Sequence, residues 1–347
     1  MPTQRELAKL AGVSTGTVSN VISGSTPVSE RSRMKVQKAI EALNYHPNLI
    51  ARSLKTNRTN TLGMIIPDVT IPFFPKIVRG AESAARERGY FLIVVDSENN
   101  SAREREMLNL LRAYRVDGIL LITVGGIQGA SKDASVRSAR PVVYLDRVPE
   151  GVQVDSVSVD DRCAAEMGVS HLLAQGHRDI AILTGPLVLK NEQERLRGYK
   201  QALQAAGVPI GERLIWKGSF NQDEIATICQ QGLLTAWRRP SALFVTNGVT
   251  GLAALKAIYA AGLSTPKDLA FVTFDELTAD DFFRPAVTTV VQPAFEIGYR
   301  AVELLLNRIE SDATANSPQK VRLPGKLVVR ESSNFAPRAS SDKASAG

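Results

Sequence analysis

Cysteine is almost missing from this chain: Cys163 and Cys229 are the only two among 347 residues, and no C-x-x-C occurs. With three histidines (His46, His171, His177) at unrelated spacings, that excludes a disulfide framework and a zinc site. Both thiols are expected to be reduced core residues. Long apolar runs are also missing, since segments such as Phe91 to Val95 and Ile119 to Thr123 fall far short of the roughly 18 residues a membrane span requires. The opening Met1-Pro-Thr-Gln-Arg-Glu has no apolar stretch or small-residue cleavage site, so the expectation is a cytoplasmic protein without a secretory signal. No G-x-G-x-x-G or Walker sequence follows a predicted strand; Gly125-Gly126-Ile-Gln-Gly129 has the wrong spacing and reads as a loop, which argues against a nucleotide-dependent enzyme. Hydrophobic residues at 44% and charged residues at 22% leave an ordinary folded protein. At roughly 150 residues per domain it has room for two domains, or one with an appendage.

Charge is present but unevenly placed. Residues 1 to 60 hold nine Lys/Arg against three Glu, whereas the rest holds 33 bases against 32 acids. A compact basic module on a near-neutral body suits a polyanion, because each neutralised phosphate releases condensed counterions. A solvated basic face with no partner would show the same arithmetic.

Local patterning gives that module a shape. Thr3-Gln-Arg-Glu6 forms a capping box that starts a helix at Gln4, with Leu7, Ala8, Leu10 and Ala11 as its apolar face. Gly12 supplies a positive-φ turn and Ser14 a cap for a second helix from Thr15 to about Ser23 that buries Val18, Val21 and Ile22. A third helix after Ser29 carries Met34, Val36, Ile40 and Leu43, with Asn44 as its left-handed exit. Helix, glycine turn and helix within about twenty residues is the helix-turn-helix pattern. Thr15, Gly16, Thr17 and Asn20 point away from the apolar stripe, and Asn20 alone can make paired hydrogen bonds to adenine. Gly12-Val-Ser14-Thr-Gly16 also matches the G-x-S-x-G of serine hydrolases, but that motif needs a strand before the serine, and a helix stands there instead.

The run Leu7-Ala-Lys-Leu-Ala-Gly-Val-Ser-Thr-Gly-Thr-Val-Ser19, with Val28-Ser29, Leu43-Asn-Tyr45, Pro47-Asn48 and Ala51-Arg-Ser-Leu54, closely resembles the headpiece of LacI/GalR bacterial repressors. The resemblance implies a headpiece over 1–46 whose second helix enters the major groove of a pseudo-palindromic operator. Its DNA-contacting positions fall on Ser14, Thr15, Gly16, Thr17, Ser19, Asn20, Ser29, Asn48, Arg52, Leu54 and Lys55. It also implies a hinge helix and linker over 47–60, with Leu54 as a minor-groove wedge. A helix of about eight residues is too short to be stable alone in water, so it should form only when docked.

From Thr61 onward buried-strand runs alternate with amphipathic helices, and the pattern restarts near Asp161, which predicts two doubly wound parallel sheets in tandem. Such sheets bind ligands at the carboxyl ends of their strands. The strand ends present Pro67-Asp68 with Phe73-Phe74, Asp146-Arg147, Thr184-Gly-Pro186 leading to Asn191 and Arg195, then Asn247, Asp275 and Gln292. Aromatic faces for C–H surfaces together with charged and amide groups for hydroxyls suit a small polyhydroxylated ligand. The body over 61–331 resembles the periplasmic-binding-protein-like core of the same family, with one lobe over about 61–158 plus 291–318, the other over about 159–290 plus 319–331, and a disordered tail over 332–347. That likeness implies effector contacts at Phe73, Phe74, Arg147, Asn191, Arg195, Phe220, Asn247, Asp275 and Gln292. It departs from many sugar-responsive members at Ile71, where they have Asn, and at Gly248, where they have Asp. With Arg147 and Arg195 facing mainly Asp275, the departures point from a neutral hexose or pentose toward an acidic or phosphorylated sugar.

The expected whole is a homodimeric, sugar- or sugar-acid-controlled transcriptional repressor with no catalytic residues, metal or other cofactor. A solute-binding transport component would fit the body alone, but the basic head and the lack of an export signal argue against it.

Overall fold

Two units divide the chain between Thr59 and Asn60. A computed structural model describes residues 2–23, 26–45, 58–125, 140–149, 151–235, 239–277, 284–310 and 317–334. The expected hinge helix, with Asn48, Arg52, Leu54 and Lys55, therefore lies outside the described residues, as do residues 126–129 of the glycine loop and the tail from 335.

In the first unit α1 (Gln4–Ala11) begins at the capping box: the Glu6 amide donates to Thr3 Oγ1 at 3.3 Å and the Thr3 amide donates to Glu6 Oε2 at 2.7 Å. These bonds satisfy donors that a helix start leaves open. Gly12 closes the helix at φ 62°, and the Thr17 amide donates to Ser14 Oγ at 3.0 Å to open α2 (Thr15–Ser23). The serine of the G-x-S-x-G match is thus a helix cap between two helices. Ser29 caps α3 (Glu30–Ala42), and Asn44 leaves it with φ 44°. Leu7, Ala8, Ala11, Val18, Val36, Ala39 and Tyr45 form the core. Leu10 and Met34, expected on buried faces, are each 55% exposed. At 100° per residue Leu10 stands about 100° round from the middle of the Leu7, Ala8, Ala11 stripe, and Met34 stands opposite Val36, Ala39 and Ile40.

The second unit holds two six-stranded sheets. The first contains β1 (Thr61–Ile66), β2 (Phe91–Asp96), β3 (Gly118–Leu121), β4 (Val142–Leu145), β5 (Asp155–Val159) and β11 (Lys320–Leu323), all parallel, in the order β11-β5-β4-β3-β1-β2. The second contains β6 (Ile180–Thr184), β7 (Ile215–Lys217), β8 (Ala242–Val245), β9 (Ala270–Phe274), β10 (Thr288–Val291) and β12 (Lys326–Val328), in the order β12-β10-β9-β8-β6-β7. Its edge strand β12 runs antiparallel to β10, so this sheet is mostly rather than wholly parallel. Helices α4 (Phe73–Glu87), α5 (Ser101–Ala113) and α10 (Ala294–Glu310) belong with the first sheet, and α6 (Asp161–Ala174), α7 (Lys190–Ala205), α8 (Gln222–Gln230) and α9 (Gly248–Ala260) with the second. Apolar clusters lie on both faces of each sheet, the arrangement that makes the strands read as continuous hydrophobic runs. Against the first sheet α4 and α10 touch backbone to backbone: a Cβ on Gly80 would meet Phe295 O at 1.9 Å, and one on Gly298 would meet Ile77 O at 2.0 Å.

Several expectations for the body do not hold. Strands β5 and β11 are not the buried-strand runs expected of a parallel sheet: their apolar residues alternate with Ser, Lys and Arg, as half-covered strands at a sheet margin do. β11 pairs in register with β5, Val321 opposite Val157, which puts 320–323 in the first lobe rather than the second. The tail does not begin at 332: Ser332 and Ser333 are fully buried, and Ser332 Oγ donates to Phe271 O at 2.6 Å while accepting from the Thr288 amide at 2.8 Å. Cys163 is exposed near the start of α6, whereas Cys229 is a buried core thiol as expected. Helix α8 gives way after Gln230 to a π turn over Gln231–Thr235.

The chain passes between the lobes three times: from β5 to α6, from β10 to α10, and from β11 to β12. Residues at those crossings, Asp160, Asp161 and Gln292 among them, sit where the lobes meet.

Candidate functional site

All nine residues expected to contact an effector line one small cavity of about 40 Å³ between the lobes. Phe73 and Phe74 come from the start of α4, Arg147 from the end of β4, and Asn191 and Arg195 from α7. Phe220 precedes α8, Asn247 caps α9, Asp275 follows β9 and Gln292 follows β10. Ile71, Asp146, Glu192, Gly248 and Val249 complete the wall. Two larger cavities share parts of it. One of about 300 Å³ includes Ile71, Phe73, Phe220 and Asp275; the other, of about 450 Å³, includes Asp146 and Asn191.

The two strand-end aspartates are related by position in their lobes. The Asp146 amide donates to Val157 O at 3.0 Å and the Asp275 amide donates to Val290 O at 2.9 Å, each tying the end of one strand to its neighbour. Both take left-handed backbone, φ 54° and 69°. Such a conformation costs an L-residue on the order of 1 kcal/mol or more and persists where surrounding structure enforces it, most often at binding sites.

Arg195 is 2% exposed and almost fully bound. Its Nε donates to Asp161 Oδ1 at 2.8 Å and its Nη1 donates to Thr246 O at 2.6 Å, 3.8 Å from Glu192 Oε1. The guanidinium carbon stands 3.8 Å from the centroid of the Phe274 ring. Glu192 in turn accepts from the Gly185 amide at 2.9 Å, from Asn247 Nδ2 at 3.1 Å and from Thr246 Oγ1. Burial disfavours the charge on Arg195, but Asp161, Glu192, Asp275 and Asp146 outweigh it and hold its pKa above the ordinary arginine value. Burial also pushes Asp161 up to about 7 and Asp275 up to about 6, both against the pull of Arg195.

Arg147 is held differently. Its guanidinium carbon lies 5.5 Å from the ring centroids of both Phe74 and Phe220, so a side chain of one lobe stacks on an aromatic of the other. Its Nη1 donates to Asn99 Oδ1 at 3.3 Å. Burial lowers its pKa, against the opposing effect of Asp146 and Glu192. A second link between the lobes is the surface pair Lys76 Nζ to Glu276 Oε2, 2.5 Å apart.

Among the described residues, three buried side-chain polar atoms have no hydrogen-bond partner: Arg147 Nε, Arg195 Nη2 and Gln292 Oε1. All three belong to residues of this one cavity wall. Leaving a buried donor or acceptor unmade costs about 1–3 kcal/mol. Two donors and an acceptor beside aromatic faces are what a small molecule rich in hydroxyls would satisfy.

The expectation that Arg147 and Arg195 face mainly Asp275 does not hold. Asp275 Oδ1 accepts from Gln292 Nε2 at 2.7 Å, while Arg195 is met by Asp161 and Glu192. Asp161 follows β5, whose alternating residues do not stand out as a buried strand, and Glu192 lies beside Asn191 with no motif to single it out.

In the head, Thr15 and Gly16 at the start of α2 are exposed, and Thr17, Ser19 and Asn20 are half-buried. Ser14 and Ser29 are committed to capping α2 and α3, through the Thr17 amide at 3.0 Å and the Ser32 amide at 3.4 Å. The exposed start of a second helix carrying short polar side chains, on a unit of its own, is the geometry of a major-groove reader.

A helix-turn-helix head followed by two α/β lobes around a polar, aromatic cavity defines a DNA-binding transcriptional regulator with a periplasmic-binding-protein-like body. Comparison with known proteins agrees. Residues 3–48 match the model for bacterial regulatory proteins of the lacI family, and residues 169–333 match the periplasmic binding protein-like domain. The ribose operon repressor of Escherichia coli (strain K12) is 36% identical over 309 residues, 89% of this chain and 93% of that one. The repressor PurR of Photobacterium profundum is 32% identical over 333 residues, 96% of this chain and 98% of its own. Among solved structures, a transcriptional regulator CelR–cellobiose complex matches with TM-score 0.70 and 32% identity over 96% of this chain and all of that one. The lac repressor dimer bound to operator and the anti-inducer ONPF matches with TM-score 0.82 and 25% identity, over 96% of this chain and 99% of that one. The chain belongs to the LacI family of bacterial transcriptional regulators.

Proposed function

We propose that this protein is a homodimeric repressor whose grip on a pseudo-palindromic operator is set by a sugar, sugar acid or sugar phosphate lodged between its lobes. The observation that carries the effector reading is the set of three unpaired buried polar atoms, all on one cavity wall that also presents Phe73, Phe74 and Phe220. The cavity is too narrow as it stands, since small-molecule sites run to roughly 300–1,000 Å³. Arg147 fills the space between Phe74 and Phe220, so seating a ligand requires Arg147 to move or the lobes to part. Either change alters how the lobes sit on each other. It couples to DNA affinity by a free energy that must act equally on ligand affinity.

On DNA, Thr15, Gly16 and Asn20 stand at the base-reading positions, and because Gly16 has no side chain to read with, specificity leans on Thr15 and Asn20 or on DNA shape, while Ser14, Thr17, Ser19 and Ser29 make the other contacts with the duplex. Asn48, Arg52, Leu54 and Lys55 belong to a hinge that folds on the operator, with Leu54 wedged into the minor groove. The two-fold symmetry of such a site requires a dimer. The relatives support this reading, since CelR is seen with cellobiose and the lac repressor dimer with its operator. The protein acts in the cytoplasm, where the DNA is, and performs no catalysis.

A mobility-shift titration against the DNA upstream of its own gene, repeated with paired neutral and acidic sugars, tests the proposal. The expected result is a specific shift that one class of compound reverses or strengthens. Equal affinity for that DNA and for random duplex at physiological salt, with and without every compound, would overturn it.

A further inference from the structure

The centre of the cleft is a poor place for an anion. Its two guanidiniums, Arg147 and Arg195, are surrounded by Asp146, Asp161, Glu192 and Asp275, so carboxylates outnumber cations there. The wall of the adjoining cavity of about 450 Å³ carries four cations, Arg162, Lys190, Lys320 and Arg322, and four carboxylates, Asp146, Asp160, Asp161 and Glu194, two of which are tied to arginines outside it. Lys190, at the first position of α7, and Lys320 and Arg322, two residues apart on β11, line it, and among the described residues their side chains make no ion pair or hydrogen bond. Lys320 and Arg322 stand opposite Ser156 and Ser158 in the β5 register, and all four face this cavity, while Val321 and Val157 face the core.

The carboxylates of the same wall are mostly occupied. Asp161 is bound to Arg195, Glu194 to Arg197, and Asp160 caps α6 through the Cys163 amide at 3.2 Å. Asp146, at the boundary with the central cavity, and Asp160 have no ion pair among the described residues, so two unpaired carboxylates stand against Lys190, Lys320, Arg322 and Arg162, whose Nε donates to Gln201 Oε1 at 2.8 Å. An excess of cations over unpaired carboxylates around a concave space of this size, with serine hydroxyls beside Lys320 and Arg322, matches the charge and the acceptor-rich surface of a phosphoryl group.

We propose that the 450 Å³ cavity is a phosphoanion site, with Lys190, Lys320 and Arg322 as its charged contacts and Ser156 and Ser158 as hydroxyl donors. The phosphoryl group arrives either as part of the effector, its sugar ring in the central cavity, or as a free anion beside it. For a phosphate carried on a sugar the inference rests on the effector reading above. Free phosphate tests the site by itself.

The experiment is calorimetry on the full-length chain with inorganic phosphate, pyrophosphate, ribose against ribose 5-phosphate, and glucose against glucose 6-phosphate. It is repeated on the exposed double variant Lys320→Gln/Arg322→Gln, with thermal melting as a check on folding. The expected result is that at least one phosphorylated compound binds tenfold or more tightly than its neutral partner, or that phosphate or pyrophosphate binds alone. The double variant should lose that advantage at least tenfold, with neutral-sugar affinity unchanged. Binding of phosphate or pyrophosphate without any sugar would place the anion as a separate ligand and leave the effector to be found elsewhere in the panel. Equal phosphoanion affinity in wild type and variant, or no phosphoanion binding at millimolar concentration, would overturn the inference while leaving the effector reading to its own test.

Discussion

Replacing Asp161 by alanine removes the carboxylate that holds Arg195 at 2.8 Å. At pH 8, above the value of about 7 to which burial raises Asp161, that carboxylate is ionised and the arginine needs it. Breaking a buried pair from one side costs ~3–5 kcal/mol, because it strands the remaining charge. Glu192 still stands 3.8 Å from Nη1, and Thr246 O and the Phe274 ring remain in place, so the lower end, about 3 kcal/mol, is expected. For a unit spanning Asn60–Gly347, at roughly 2.1 cal/mol/K of unfolding entropy per residue, that corresponds to a fall in Tm of about 5 °C. The double variant Asp161→Ala/Arg195→Met should recover most of the loss, since removing both charges of a buried pair is often close to neutral. Glu192 would keep its donors from Gly185, Thr246 and Asn247. Thermal melting of the wild type and both variants is the assay. A Tm for Asp161→Ala within about 2 °C of wild type at pH 8 would show that Asp161 is not the counter-ion of a charged buried arginine.

Other outcomes follow from the same geometry. Arg147→Met should weaken a neutral sugar and its phosphate by the same factor, on the order of tenfold for a lost charge-assisted hydrogen bond, and leave operator affinity without effector unchanged; calorimetry with a mobility-shift control decides it. Asn20→Ala should reduce discrimination among operator variants by about 1–3 kcal/mol, while a salt titration keeps its slope. Asp161 and Asp275 have folded-state values of about 7 and about 6, above the ordinary 3.8, so the folded chain holds more protons than the unfolded one across that interval. Their contribution to stability is complete below about pH 4 and is lost as pH rises through 6 and 7; Tm should fall between about pH 5 and 8, and Asp275→Asn should flatten the slope. Gly80→Ala should cost about 3 kcal/mol or more, because its Cβ would lie 1.9 Å from Phe295 O and force α4 and α10 apart; denaturant unfolding measures it.

Much of this protein is written in local patterns. A capping box, a glycine exit and a serine cap depend on neighbours three or four residues away, so Thr3, Gly12 and Ser14 announce the helix-turn-helix before any tertiary contact is known. The restart of the strand–helix alternation near Asp161 announces two lobes, and the strand-end rule finds Arg147, Asn191, Arg195, Asn247, Asp275 and Gln292 because topology alone brings strand ends together. Packing and charge balance are not local. Leu10 and Met34 share the composition of core residues but not their angle on the helix. β5 and β11 carry the alternation of strands covered on one face, and only their pairing reveals which lobe they complete. Above all, the partners of Arg195 come from α6 and α7, 34 and three residues away, and whether a buried charge is met or left over depends on every group within a few ångströms. Order along the chain was enough to name the residues that reach the cleft. Folding is what crowds carboxylates into its centre and leaves the unmatched cations beside it.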